Sequence, residues 1–90
     1  MYYTYILLSE NDNKFYIGFT KDLKKRIKQH INKEVISTSK RGKLNLVMYE
    51  AYISEQDARS REKFFKTTKG KMQLRKQLRA FLESNRAGIV

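Results

Sequence analysis

The first nineteen residues constrain the chain most. Two β-prone runs, Tyr2-Tyr3-Thr4-Tyr5-Ile6-Leu7-Leu8 and Phe15-Tyr16-Ile17-Gly18-Phe19, flank the polar cluster Glu10-Asn11-Asp12-Asn13. Aromatic and β-branched residues suit a pleated surface, and Asn and Asp tolerate the left-handed geometry of tight turns. The segment therefore predicts a hairpin. With residues 10–13 as its loop, Ser9 faces Lys14, Leu7 faces Tyr16 and Tyr5 faces Gly18. Side chains alternate between the two faces of a strand. Tyr5, Leu7, Tyr16 and Gly18 then share one face, two phenols beside a position with no side chain.

The remaining pattern is mostly helical. Thr20 or Asp22 can cap a helix running to about Asn32, with Leu23, Ile27 and Ile31 as its apolar stripe. Arg26 and His30 are four apart and so neighbours on that helix. Residues 33–43 read as a polar, basic loop, and Leu44 to Ile53 as a third strand. Ser54-Glu55-Gln56-Asp57 is a capping-box-like start to a helix reaching about Thr67, and Gly70 is expected to break it. Leu74, Leu78, Phe81 and Leu82 stripe a last helix. The order is ββαβαα. It predicts one α/β (α+β) domain over residues 1–83, a three-stranded antiparallel sheet flanked by helices, with 84–90 as a frayed end.

Composition narrows the chemistry. With 90 residues there is room for one modest core. No cysteine excludes disulfides and thiolate zinc sites, and a single histidine excludes a His-rich metal cage. The apolar opening, Met1 to Leu8, ends at Ser9-Glu10, too short to span a membrane and without the basic flank of a signal peptide. The expectation is a cytoplasmic protein with no membrane partner and no small-molecule cofactor. Charge dominates: 20 Lys and Arg against 9 Asp and Glu, net +11. Eighteen of the 20 fall in residues 21–43 and 59–79, nine in each, and Glu62 is the sole acid of the second block. Solubility needs far less charge, with signs interspersed, so the pattern predicts a polyanionic partner, nucleic acid. Lys24, Lys25, Lys28, Lys40, Arg41, Lys43, Lys69 and Lys71 are the candidate phosphate contacts.

Tyr3-Thr4-Tyr5, then ten residues, then Tyr16-Ile17-Gly18, resembles the paired signature of the GIY-YIG nuclease superfamily. Arg26 and His30 stand at the expected ten and fourteen residues after Tyr16, and Arg61-Glu62-Lys63 follows the third strand where a glutamate is expected. The stretch Tyr49-Glu50-Ala51-Tyr52 with Arg61-Glu62-Lys63 looks like the small stand-alone members. The likeness covers about residues 2–80. Tyr3 and Thr4 replace the Gly and Ile of the first triplet, Phe19 stands where some members have lysine, and only Gln77 lies near the place of a common Asn.

The resemblance implies a metal-dependent DNA endonuclease, a chemistry suited to repair or recombination, with Tyr5, Tyr16, Arg26, His30 and Glu62 as catalytic residues. Glu62 would hold Mg²⁺ or Mn²⁺, hard cations that use few protein carboxylates; the plain alternative is an i,i+4 ion pair with Lys66. Arg26 would grip the scissile phosphate. His30 would relay a proton or bond a phosphate oxygen, or else be an ordinary surface residue. Tyr5 and Tyr16 would position or activate water, with Arg26 and the metal lowering a phenol's affinity for its proton. Gly18 would let a substrate or tyrosine approach the backbone, or mark a bulge. Two rivals stand beside the enzyme: a nucleic-acid-binding module of the same fold that cuts poorly or not at all, and an RNA-binding accessory protein argued from charge alone.

Overall fold

In the computed structural model, residues 1–36 and 38–84 are described with their side chains, and the final helix is traced to Ile89. Strands β1 (Tyr2–Ser9), β2 (Phe15–Thr20) and β3 (Leu44–Tyr52) form one antiparallel sheet in the order β2-β1-β3. Helix α1 (Leu23–Ile31) precedes β3, and α2 (Glu55–Phe65), α3 (Thr68–Gln77) and α4 (Arg79–Ile89) follow it. Among the described residues no helix is long and apolar enough to cross a membrane.

The hairpin adopts the expected register. Tyr5 pairs with Gly18 and Leu7 with Tyr16, the Ser9 amide donates to the Lys14 carbonyl at 3.0 Å, and Asn13 takes the left-handed φ of 57°. The middle strand β1 is buried from Thr4 to Ser9. One face sends Ile6 and Leu8, with Phe15, against Phe65 of α2 and Leu74 of α3. Opposite Ile6 and Leu7, β3 carries an irregularity: Met48 pairs with Ile6 and Leu46 with Leu7, leaving Val47 between them. One extra residue in a strand reorients its neighbours, and here both Val47 and Met48 pack on the core. The other face keeps Tyr5 and Leu7 buried.

One of two offered caps is chosen, and three local expectations need correction. Asp22, rather than Thr20, caps α1 by accepting from the Lys25 amide at 3.1 Å. Ile31 does not complete the apolar stripe: it is 65% exposed, and His30 is the buried residue of the last turn. Gly70 breaks nothing. The second helix ends at Phe65, Thr67 caps the next by accepting from the Gly70 amide at 3.0 Å, and Gly70 lies buried inside α3. A methyl there would strike the Phe64 carbonyl and the Phe65 Cα, so this glycine is a packing requirement where two helices meet. The expected last helix is also divided at Leu78, whose ψ of 17° interrupts it, giving ββαβααα. The expected frayed end over 84–90 concerns side chains that, from residue 85 on, lie outside the described residues.

Candidate active site

Four elements and one loop converge at the β2 edge of the sheet. A cavity of about 210 Å³ is lined by Tyr5 of β1, Tyr16 and Gly18 of β2, Arg26 and His30 of α1, Thr38 of the 33–43 loop, and Glu62 and Lys66 of α2. Ile17 and Phe19 line it too, although the Ile17 side chain packs on the core. Gly18 leaves room for the Tyr5 ring. A methyl at Gly18 would overlap the Tyr5 Cζ and hydroxyl, so the Tyr5 ring lies across a strand that offers no side chain. The β1–β2 register is regular at this point, which removes the bulge reading of Gly18.

The polar side chains form a chain of hydrogen bonds. Arg26 Nε donates to the Tyr5 hydroxyl at 3.2 Å and Arg26 Nη1 donates to Gln29 Oε1 at 3.2 Å. The Tyr5 hydroxyl lies 2.9 Å from His30 Nε2, and His30 Nδ1 lies 2.8 Å from Thr38 Oγ1. With its oxygen accepting from Arg26, Tyr5 still has its own proton to place. The Nδ1–H tautomer of His30, with Tyr5 donating to Nε2 and Thr38 accepting from Nδ1, gives every donor of this chain a partner. Burial, reinforced by the adjacent Arg26 charge, holds His30 below the usual imidazole range, so it is neutral at pH 7. Burial also pushes the Tyr5 phenol above its ordinary value, outweighing the hydrogen bond and charge of Arg26. This corrects the expectation that Arg26 makes Tyr5 more acidic: desolvation of the phenolate is the larger effect.

Tyr16 differs from Tyr5. Its hydroxyl is buried with no hydrogen-bond partner among the described residues, and its ring carries the Arg41 guanidinium 5.4 Å from the centroid. A buried, unsatisfied hydroxyl is costly. Glu62 lines the cavity, and its neighbour is anchored. Arg61 Nε donates to Glu50 Oε1 of β3 at 2.8 Å and its guanidinium lies 4.2 Å from the Phe65 ring centroid. These contacts add to the burial of Ala58 and Phe65, which seats α2 on the sheet. Glu62 also makes the ion pair its alternative reading named, accepting from Lys66 Nζ at 3.2 Å.

The basic candidates divide. Lys24, Lys25, Lys28, Lys40, Lys69 and Lys71 are exposed. Arg41 is paired with Asp12 at 3.3 Å, and Lys43 with Glu10 at 3.9 Å. These two tie the 33–43 loop to the hairpin turn. Sequence reasoning passed over Thr38 and the Arg61–Glu50 anchor, and it named Lys66 only as an ion-pair partner of Glu62. Thr38 is nearly fully buried, but a threonine in a polar loop carries no local signal of that. Lys66 had one, its four-residue spacing from Glu62.

The sequence pattern of the GIY-YIG catalytic domain matches residues 1–76. The chain belongs to the GIY-YIG family. Small relatives agree in size: a UPF0213 protein of Clostridium perfringens is 40% identical over 77 residues, covering 82% of each chain. A UPF0213 protein of Limosilactobacillus reuteri is 37% identical over 84 residues, covering 90% of this chain and 81% of the relative. One of Lacticaseibacillus paracasei is 36% identical over 85 residues, covering 93% and 89%. No solved structure matches.

Membership gives the departures a physical reading. In this GIY-YIG domain Thr4 replaces an apolar residue yet is fully buried, because its hydroxyl donates to the Ala58 carbonyl at 2.6 Å. Tyr3 packs edge-on against Tyr49, centroids 6.0 Å apart. Gln77 does not take the place of the missing Asn. It is exposed at the end of α3, accepts from Gln73 at 3.4 Å and does not line the cavity. GIY-YIG nucleases are generally dependent on a divalent metal. Among the described residues no three His, Asp or Glu side chains cluster, but Mg²⁺ commonly takes one or two carboxylates and completes its shell with water and phosphate oxygens. Glu62, whose carboxylate lines the cavity, supplies the single carboxylate that such a donor set needs.

Proposed function

We propose that this domain is a divalent-metal-dependent endonuclease that hydrolyses DNA phosphodiester bonds. One observation carries the reading: Tyr5, Tyr16, Arg26, His30 and Glu62, spread over 58 positions of sequence, line a single cavity of about 210 Å³. Hydrolysis of a phosphodiester needs the phosphate held, a water deprotonated and charge stabilised on the leaving oxygen. Arg26 holds the phosphate in this reading. Its Nε and Nη1 are fixed by Tyr5 and Gln29, which points a rigid fork, with Nη2 unpartnered among the described residues, at an incoming anion.

Proton removal follows from the Tyr5–His30 pair. A phenol pushed upward is no standing base at neutral pH, but it can accept a proton as it passes its own to a partner. Neutral His30 Nε2, 2.9 Å away, is that partner, and Thr38 holds the imidazole in the accepting tautomer. The water's proton goes to the Tyr5 oxygen while the Tyr5 proton goes to His30. Tyr16, with its hydroxyl unsatisfied, bonds the water or a phosphate oxygen. Glu62 would hold Mg²⁺ or Mn²⁺. The bound ion would supply Lewis-acid stabilisation of charge on the phosphoryl and leaving oxygens.

A binding module without cleavage is favoured by one observation, that Gln77 lies outside the cavity. A panel of end-labelled duplex, nicked, branched and single-stranded DNAs, incubated with Mg²⁺, Mn²⁺ and chelator, separates the two. The endonuclease gives metal-dependent products from at least one form. Binding to every form without products in either metal overturns the enzyme and leaves the module.

A further inference from the structure

Lys66 lines the cavity, and the mechanism above leaves it without a task. It sits one helical turn after Glu62, with Nζ donating to Glu62 Oε2 at 3.2 Å. The two side chains are unequally covered: that of Glu62 is 21% exposed and that of Lys66 56%. The carboxylate is held in the site, whereas the ammonium rides on a flexible four-carbon stem with room to swing. A divalent cation and an ammonium at one carboxylate repel each other, so an ion that binds Glu62 must displace Lys66 or share it at a cost. Lys66 and Arg26 line the same cavity, so a phosphate held by Arg26 would be an alternative counter-ion for a displaced Lys66.

We infer that Lys66 is an exchangeable counter-ion: it neutralises Glu62 in the free protein, yields the carboxylate to the divalent cation, and moves to an oxygen of the substrate phosphate. The inference rests on the endonuclease reading and deepens it. Two ends are served. Before the metal arrives, Glu62 does not repel the incoming polyanion. Once DNA is bound, its phosphate draws Lys66 away and the metal binds more tightly. Linkage makes this reciprocal, so metal must strengthen DNA binding by the same factor.

The test is Mn²⁺ affinity of the intact, DNA-free protein, read by electron paramagnetic resonance, for the parent, Lys66→Met, Lys66→Arg and Glu62→Gln. Removing the competing charge in Lys66→Met tightens Mn²⁺ roughly five- to tenfold, Lys66→Arg stays near the parent, and Glu62→Gln loses the ion. In the same Lys66→Met protein, cleavage at saturating Mn²⁺ falls about tenfold or more, opposite to the gain in affinity. Circular dichroism of each variant verifies folding, which an exposed side chain should not disturb. Unchanged Mn²⁺ affinity in Lys66→Met overturns the counter-ion whatever happens to cleavage, and if the parent still cuts DNA the endonuclease reading survives. A parent that neither binds Mn²⁺ nor cuts DNA sinks both.

Discussion

Tyr5 is the residue around which the site is built, and it depends on two others. Gly18 gives its ring a place, and a methyl there would overlap the phenol. Gly18→Ala should therefore cost about 1–3 kcal/mol in urea unfolding, the range for overpacking. It should also abolish cleavage through displacement of Tyr5. The second dependence is on a neutral His30. Its folded-state affinity for a proton is depressed by burial and by Arg26, so the unfolded chain binds the proton more readily. Stability from this group is complete above the ordinary imidazole value of about 6.5. It is lost as pH falls from there through the lower folded-state value. Cleavage should lose its acid limb in the same window, below about pH 6.5, because protonated Nε2 can no longer accept from Tyr5. A rate that stays flat with falling pH, down to the point where the protein itself unfolds, contradicts the relay. Thr38→Val removes the acceptor of His30 Nδ1 and should cost about 1–3 kcal/mol, the usual penalty for a buried polar atom left unpaired.

Elements show what was legible in the chain and what was not. The hairpin register was readable because alternation and a four-residue polar turn are local constraints, and every partner pair that matters for the site follows from them. Arg26 and His30 were likewise legible, four residues apart on a capped helix. The inward turn of His30 at the expense of Ile31 was not, since it is decided by Tyr5 and Thr38, partners 25 and 8 residues away. Gly70 was misread for a similar reason. Glycine in a helix ordinarily signals a break, and replacing it with alanine ordinarily stabilises by up to about 1 kcal/mol. Here the Phe64 carbonyl occupies the space. Gly70→Ala should instead destabilise, by more than the roughly 1 kcal/mol expected for removing the Thr67 cap in Thr67→Ala. Thermal melts of the two variants side by side decide the order.

For the whole molecule, a net charge of +11 on 90 residues acts together with the cavity. Six of the eight candidate phosphate contacts are exposed without an ion-pair partner among the described residues, while Arg41 and Lys43 brace the loop that carries Thr38. Binding to DNA should fall steeply with salt, by about a thousandfold between ~50 and ~200 mM if some six phosphates are neutralised, and vary little with sequence. The central claim is that this basic surface delivers DNA to a metal at Glu62. It is tested most directly by comparing the parent with Glu62→Gln for cleavage of a labelled DNA in Mg²⁺ and for binding of the same DNA in chelator. The substitution removes one negative charge at nearly constant volume. Cleavage should drop about a thousandfold or more, as loss of a metal's charged ligand implies, while affinity is kept or raised beside a polyanion. A Glu62→Gln protein that cuts at near the parent rate would contradict the account.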